Sequence, residues 1–158
     1  MADWYCKRKE NTMKISVGCD HGAFELKNKL VQHLIQQGHE VTDFGTHTPD
    51  SCDYPDFAAA AAEAVADGRC DRGIVLCTTG IGVSIAANKV KGIRCALLSD
   101  TKSAQLTREH NDTNMMALGA GIVDEKLALE IVDIWLNTMF SNSPRHVRRI
   151  EKVMALEK

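Results

Sequence analysis

Two hydrophobic patterns alternate along this chain, and the alternation constrains its fold more than any other feature. Short apolar runs such as Arg-Gly-Ile-Val-Leu-Cys at 72–77 are typical of strands that are buried on both faces. Between these runs, apolar residues recur at helical spacing, as they do over 23–35. No Gly/Ser-rich or Pro-rich linker interrupts the series. The order therefore predicts one α/β domain built on a parallel sheet.

The patterns predict five strands that alternate with five helices, followed by a last helix. The strand patterns cover 14–19, 39–44, 72–77, 94–98 and 114–118. The helical patterns cover 23–35, 55–66, 81–89, 101–110, 124–139 and 143–156. We expect a Rossmann-like, doubly wound five-stranded sheet of order 2-1-3-4-5, with helices on both faces. Ligands of such sheets bind at the carboxyl ends of the strands where the order reverses, which here lies between strands one and three.

Charge and cysteine spacing exclude several classes of protein. A net charge of −2 over 158 residues argues against a general nucleic-acid surface, which needs an excess of Lys and Arg. No apolar run approaches the ~20 residues of a membrane span, and the charged N-terminus has no apolar core of a secretory signal. The six cysteines form no C-x-x-C pair, so we expect reduced thiols and no metal site. These features predict a cytoplasmic protein without nucleic-acid or membrane partners.

Reactive side chains follow the two strands that flank the predicted ligand site. Asp20 and His21 come directly after strand one, and Cys77 ends strand three. The stretch Thr79-Gly80-Ile81-Gly82 then leads into a helix, whose free N–H groups bind anions and favour a thiolate nearby. Two plainer interpretations stand beside this one. The glycines fit a tight turn, and Asp20 fits a cap for the next helix.

The last helical pattern has a basic stripe opposite an apolar one. The basic stripe consists of Arg145, Arg148, Arg149 and Lys152, and the apolar stripe of Val147, Ile150, Val153 and Met154. We expect the apolar stripe to dock the helix. The basic stripe is either a solvated face or a site that captures phosphate through arginine.

Together these motifs resemble the type B ribose-5-phosphate isomerases, a family that includes galactose-6-phosphate and allose-6-phosphate isomerases. The matching segments are 18–22, 53–57, 77–82, 84–89, 92–94, 108–112 and 145–149. They occur in the family's order and cover about 13–157. The resemblance implies a single isomerase domain over 13–158, preceded by an N-terminal extension at 1–12.

The resemblance also implies an activity and a set of roles. The activity is the interconversion of D-ribose 5-phosphate and D-ribulose 5-phosphate through an enediolate, a step of the pentose phosphate pathway. The implied catalytic residues are Cys77 as the base, Thr79 at the enediolate oxygen, Asp20 in proton exchange and His110 in ring opening. The implied substrate and phosphate contacts are His21, Gly80, Ile81, Gly82, Asn111, Arg145 and Arg149. No metal or organic cofactor is implied.

The resemblance further implies a homodimer with shared active sites, in many cases paired into tetramers. His110 and Asn111 then come from the partner subunit, and the C-terminal helix docks on that partner. Without the resemblance, His110 at a helix end equally fits a residue that complements the helix dipole.

Two residues depart from the family pattern, and they leave the substrate open. Thr78 stands where the family usually has glycine, and a positive φ at that position would strain threonine by about 1–3 kcal/mol. Gly121 stands where many members have an arginine that reaches phosphate. A hexose 6-phosphate, such as allose 6-phosphate or galactose 6-phosphate, is therefore an alternative substrate. A non-catalytic sugar-phosphate sensor and a flavodoxin-like nucleotide or receiver domain are alternatives from other classes.

Overall fold

The computed structural model describes residues 12–158. The predicted extension at 1–12 therefore lies outside the described residues, apart from Thr12. The strands are β1 (Lys14–Cys19), β2 (Glu40–Asp43), β3 (Arg72–Cys77), β4 (Cys95–Leu97) and β5 (Met115–Gly119). The helices are α1 (Phe24–Gln36), α2 (Tyr54–Ala66), α3 (Ile81–Asn88), α4 (Thr101–Asn111), α5 (Glu125–Asn137) and α6 (Pro144–Met154). The alternation of strand and helix predicted from the sequence is confirmed.

The five strands form one parallel sheet, but the order of its last two strands differs from the prediction. The observed order is β2-β1-β3-β5-β4, so β5 and not β4 lies beside β3. The predicted order 2-1-3-4-5 is wrong at this point. The strands that flank the predicted ligand site, β1 and β3, are adjacent as expected.

Burial explains why β5 lies inside the sheet and β4 at its edge. All five residues of β5 are buried, as an apolar strand covered on both faces should be. β4 has only three residues, none of them buried, and its last residue, Leu97, is 45% exposed. Short strands suit sheet edges because they expose few unpaired backbone groups. The apolar pattern of β5 is therefore a stronger indication of a central strand than the pattern of β4.

Helices cover both faces of the sheet, and each face has its own core. One core packs α1, α4 and α5 on the sheet, with the fully buried Trp135 of α5 at its centre. The other packs α2 and α3 on the opposite face, mainly through the alanines of α2. Small side chains let α2 approach closely. An ideal Cβ on Gly18 would lie 2.6 Å from the Phe57 carbonyl oxygen, and 3.1 Å from the Ala61 Cβ.

The C-terminal helix α6 does not bury the apolar stripe that the sequence predicts. Only His146 of α6 is buried, while Val147 and Val153 are exposed, and Ile150 and Met154 are half-buried. The single chain does not bury this stripe, and its docking on a partner subunit stays a prediction. Half of an amphipathic face has no partner within the described residues.

Two further features of the described part concern its cysteines and the length of its helices. Its five cysteines, Cys19, Cys52, Cys70, Cys77 and Cys95, are all free. Within residues 12–158, no helix combines the length and the apolar character that crossing a membrane requires.

Candidate active site

The carboxyl ends of β1 and β3 bring Asp20 and Cys77 to the same edge of the sheet. Cys19 of β1 pairs with Leu76 of β3, and the Asp20 N–H donates to the Leu76 carbonyl at 3.3 Å. The next residues of the two strands, Asp20 and Cys77, are therefore neighbours across the ladder. This register confirms that β1 and β3 are adjacent, as the topology predicted, and brings Asp20 and Cys77 to the same edge of the sheet.

Cys77 is held by the turn that follows it. Its side chain is buried, and its Sγ accepts a hydrogen bond from the Gly80 N–H at 3.1 Å. Gly80 has φ +75°, a left-handed conformation that favours glycine. The turn interpretation of this glycine is therefore correct, and the same turn aims an N–H at the sulfur. This hydrogen bond fixes the position of the sulfur atom relative to the start of α3.

Helix α3 begins immediately after this turn and directs its first amides toward the same edge. The first N–H groups of any helix lack intrahelical acceptors, and here they belong to Ile81, Gly82 and Val83. Thr79 is exposed, and its Oγ1 accepts from the Ile81 N–H at 3.3 Å. The glycine at 82 has a further cause, because an ideal Cβ there would lie 2.6 Å from Cζ of Tyr54. The result is a donor-rich rim beside Cys77.

The Asp20 carboxylate has one oxygen engaged and one available. Oδ1 accepts from the Gly22 N–H at 2.9 Å and caps the short 3-10 turn at His21–Ala23. The capping interpretation is therefore correct for Oδ1. Within residues 12–158, Oδ2 accepts no hydrogen bond. Asp20 is only 7% exposed, but no fully buried side-chain oxygen of the described residues lacks a partner, so Oδ2 keeps some contact with solvent and is available to a ligand.

His21 lies beside Asp20 with its ring orientation set by the backbone. The Cys52 N–H donates to His21 Nδ1 at 3.2 Å. A neutral ring that accepts at Nδ1 carries its proton on Nε2, so that nitrogen is a hydrogen-bond donor. The ring is exposed, and it can donate to an anionic ligand. Nothing in the spacing of the sequence identified Cys52 as the partner of this ring.

Thr78 shows none of the strain that the sequence left open. In the described chain, only Asp112 and Asn142 combine a side chain with a positive φ, so Thr78 does not. Its carbonyl accepts from the Gly121 N–H at 2.8 Å, and its side chain is exposed. The two positions that depart from the family pattern are therefore in direct contact.

The structure places His110 and Asn111 in a second cluster, at the end of α4. A cavity of about 810 Å³ is lined by both residues, together with Arg149 and His146 of α6. The Asn111 carbonyl accepts from Arg94 Nε at 3.0 Å, which fixes the end of the helix. Arg145 is an exposed residue at the start of α6 and does not line this cavity.

His146 belongs to this cluster, although no role is predicted for it from the sequence. Its ring centroid lies 4.4 Å from that of His110, and Ser141 Oγ lies 2.7 Å from its Nδ1. Burial lowers the pKa of His146, and the neighbouring charges of His110, Arg145 and Arg149 lower it further. A neutral, buried ring therefore packs beside His110. This contact depends on how α4 and α6 meet in the folded chain, which sequence patterns do not show.

The predicted site residues thus fall into two clusters that one chain does not join. The Cys77 cluster contains Asp20, His21, Cys77, Thr79, Gly80, Ile81 and Gly82. The His110 cluster contains His110, Asn111 and Arg149, with Arg145 nearby. Among residues 12–158, no hydrogen bond, ion pair or ring contact links one cluster to the other. Each has part of the donor and base set that the chemistry requires.

Comparisons with known proteins identify close relatives over nearly the whole described chain. A sequence model of the family described as ribose/galactose isomerase matches residues 15–153. Ribose-5-phosphate isomerase B of Escherichia coli is 49% identical over 144 residues, covering 91% of this chain and 96% of the relative. Galactose-6-phosphate isomerase subunit LacB of Clostridium acetobutylicum is 43% identical, covering 81% of this chain and 74% of the relative. The solved Clostridium thermocellum ribose-5-phosphate isomerase B superposes with a TM-score of 0.90 at 52% identity, covering 92% and 97%.

Proposed function

This chain belongs to the ribose/galactose isomerase family, and from that premise we propose that it interconverts D-ribose 5-phosphate and D-ribulose 5-phosphate. One observation supports the proposal above all others. The Cys77 sulfur receives an N–H at 3.1 Å and sits across the ladder from a carboxylate with a free oxygen. The membership also rules out the flavodoxin-like nucleotide or receiver domain.

In the proposed reaction, Cys77 moves a proton between two carbons of the open-chain sugar. Its thiolate takes the proton from C2 of the aldose, and the C–H electron pair forms the C1–C2 double bond of an enediolate. Return of that proton to C1 gives the ketose, so C1 is reduced as C2 is oxidised and no external oxidant is needed. A positioned base of this kind typically contributes 10²–10⁴-fold in rate.

In this proposal, the start of α3 donates hydrogen bonds to the sugar oxygen O1, and Asp20 transfers protons between the sugar oxygens. As charge develops on O1, the amides of Gly82 and Val83 and the Thr79 hydroxyl are the available donors, since the Ile81 N–H already donates to Thr79 Oγ1. Removing one such preorganised donor typically costs about 2.7–4 kcal/mol of transition-state stabilisation. The free Oδ2 of Asp20 receives the proton of the C2 hydroxyl and returns one to O1. Each step uses a group that the chain already holds in place.

The phosphate contact is assigned to His21 on this chain and to the arginines of α6. The Nε2–H of His21 faces outward because Nδ1 is occupied by the Cys52 amide. Arginine binds phosphate in a bidentate manner, and Arg145 and Arg149 are both exposed. Because the arginines belong to the His110 cluster, they reach the substrate from a second subunit.

A homodimer with shared active sites follows from this division, and we include it in the proposal. The partner subunit's His110 opens the sugar ring, and the partner's Asn111 lies beside it. The helix faces beside both clusters are apolar and exposed. Ile81 and Ile85 of α3 are 52% and 56% exposed, and Val153 of α6 is 53% exposed. Apolar surface of this kind, next to an incomplete site, is suited to a subunit interface.

Sedimentation equilibrium tests the assembly. A particle of twice the 17.4 kDa chain mass supports the proposal, and four times that mass identifies paired dimers. A particle of one chain mass in an active preparation contradicts shared sites. Substituting Val153→Glu on the exposed stripe should then dissociate the assembly and abolish turnover together.

Steady-state turnover of D-ribose 5-phosphate tests the activity itself. The wild-type chain should convert it, and Cys77→Ala should still bind the sugar but lose turnover. Cys70→Ala is the matched control, because Cys70 is also a buried free thiol but precedes β3 at its opposite end. Binding without turnover in the wild-type chain would support the non-catalytic sensor and contradict the proposal.

We also propose a cytoplasmic location. Five free thiols in the described part of the chain suit a reducing compartment. Phosphorylated sugars are intracellular intermediates, and the substrate would be met there. Fractionation of cells that express the native protein, with activity measured in each fraction, tests this location. Activity in the secreted fraction would contradict it.

A further inference from the structure

Thr78 fills a slot between two glycines at the sheet edge that contains Cys77. An ideal Cβ on Gly22, after β1, would overlap the Thr78 hydroxyl oxygen. An ideal Cβ on Gly121, after β5, would lie 3.2 Å from Thr78 Cγ2. The hydroxyl therefore faces the β1 loop and the methyl faces the β5 loop. The two branches of one side chain occupy the space that both glycines leave.

This slot is continuous with the site. Gly22 also donates its N–H to Asp20 Oδ1, and Thr78 follows Cys77 directly in the chain. Gly22 and His21 line a further cavity of about 510 Å³, to which Ala120 of the β5 loop also contributes. Thr78 thus lies next to Cys77 in the chain and against Gly22, which lines this cavity. Its own side chain is exposed, so a ligand reaches it.

The Thr78 side chain is rigid, and neither backbone conformation nor hydrogen bonding explains why threonine stands at this position. The backbone there has no positive φ, so the turn does not select the residue type. Within residues 12–158, no hydrogen bond is made by its hydroxyl. A β-branched side chain is stiff at χ1, so its methyl and hydroxyl stay where they are when a ligand arrives. Such a side chain sets a fixed steric limit on this part of the site.

We propose that Thr78 is a specificity-determining residue that sets the upper limit on the carbon-chain length of the sugar phosphate. This inference rests on the proposed function and selects the pentose phosphate over the hexose phosphate. A sixth carbon lengthens the distance from the reacting C1–C2 pair to the phosphate. Because Thr78 fills the slot, the longer hexose phosphate does not fit between the two loops. The bulk of the side chain, and not its hydroxyl, is the determinant.

Turnover by two Thr78 variants tests the determinant. Thr78→Ala removes both branches and opens the slot, whereas Thr78→Val keeps the shape and removes only the hydroxyl. The measurement is kcat/KM for D-galactose 6-phosphate divided by kcat/KM for D-ribose 5-phosphate. The Ala variant should raise this ratio about tenfold or more, the discrimination that one carbon commonly gives. The Val variant should leave the ratio near the wild-type value. An unchanged ratio in the Ala variant, or an equal rise in the Val variant, overturns the proposal.

Binding separates this proposal from the activity on which it rests. The dissociation constants of both sugar phosphates are measured by calorimetry for Cys77→Ala and for Cys77→Ala/Thr78→Ala. The second variant should shift the affinity ratio toward the hexose phosphate by a similar factor. A shift in binding with no turnover by the wild-type chain refutes the isomerase activity but supports the role of Thr78. If neither sugar phosphate binds either variant, Thr78 lines no sugar-phosphate site, and its proposed role is wrong.

Discussion

At the scale of single residues, the free cysteines differ in what surrounds their sulfur atoms. Burial raises the pKa of Cys19 to about 12 and that of Cys95 to about 12, and it also raises the pKa of Cys70. These three side chains remain thiols near neutral pH. Hydrogen bonds from Thr46 and Thr42 reach Cys19 and Cys70 but do not outweigh burial. The Cys77 sulfur accepts the Gly80 N–H at the start of α3, at the carboxyl-end edge of the sheet where β1 also ends.

Iodoacetamide should therefore inactivate the protein through Cys77. Alkylation requires a thiolate, so Cys19, Cys70 and Cys95 should react slowly. Bound D-ribose 5-phosphate should protect both the activity and the Cys77 label, as measured by peptide mass spectrometry. Cys52→Ser is the control, because Cys52 is half-buried and lies beside His21, close to the proposed site. Inactivation that tracks labelling of any other cysteine contradicts the assignment.

His39 gives the fold a pH dependence of definite sign. Burial lowers its pKa below 6.5, and its Nδ1 accepts the Met13 N–H at 3.2 Å. His39 in the unfolded chain then binds its proton more tightly than His39 in the folded chain. The contribution of His39 to the free energy of unfolding is therefore present above about pH 6.5 and is lost as the pH falls below that value. His146, whose pKa is also lowered mainly by burial, acts in the same direction.

Urea unfolding at about pH 7.5 and about pH 5 should show this loss, which is a linkage effect of the histidines. His39→Asn, which keeps an acceptor but does not titrate, should lose less stability between the two pH values than the wild-type chain. Part of the loss should remain because His146 is still present. An identical pH dependence of stability in the two proteins would contradict a contribution from His39.

At the residue scale, the sequence placed Asp20 and Cys77 after adjacent strands, and the register of β1 and β3 brings them to one edge of the sheet. Their roles as proton carrier and base stay predictions. The expected strain at Thr78 is absent because it depended on a φ value, which residue type does not determine. The contact of His146 with His110 depends on how α4 and α6 meet, so it could not be predicted.

At the scale of elements, the turn between β3 and α3 makes the sharpest demand on residue type. Gly80 has φ +75°, and an ideal Cβ would lie 2.6 Å from Leu97 Cδ1 and 2.8 Å from the Leu118 carbonyl carbon. Conformation and space both exclude a side chain there. The turn that presents its N–H to Cys77 therefore requires glycine.

Gly80→Ala should destabilise the fold and reduce kcat together. The left-handed conformation alone costs about 1–2 kcal/mol for alanine, and the displaced turn adds to that. Gly68→Ala is the matched control, because Gly68 has φ +83° with nothing within 4 Å of an added Cβ. Gly68→Ala should show only the conformational cost, with kcat unchanged. Equal losses of stability and full activity in both variants would contradict a role for the turn in holding Cys77.

Element boundaries were largely predictable, but element neighbours were not. Local patterns place β3 at Arg72–Cys77, as observed, because its apolar run and flanking polar residues mark both ends. The positions of β4 and β5 in the sheet depend on long-range packing instead. Comparing their lengths and apolar content would have placed β5 inside. Similarly, the apolar stripe of α6 was visible in the sequence, but the surface that it contacts was not.

At the scale of the whole molecule, the chain holds the predicted site residues in two separate clusters. Our proposal assigns the base, the proton carrier and the amides to the Cys77 cluster. The cavity near His110 is lined by an imidazole and an arginine, beside the exposed apolar residues of α6. We therefore propose that the site is complete only in an assembly. The resemblance already implied that His110 and Asn111 come from a partner subunit, but spacing along a chain does not give distance in space.

Complementation between two inactive variants tests this account most directly. Cys77→Ala and His110→Ala are produced separately and together, with different affinity tags to isolate mixed assemblies. Each variant should be inactive with D-ribose 5-phosphate, because every one of its sites lacks either the base or the ring-opening histidine. The mixed assembly should recover turnover, because one of its two sites takes Cys77 from one subunit and His110 from the other. A mixed assembly as inactive as its parents would contradict shared active sites, and full activity of either parent would contradict the role given to its residue.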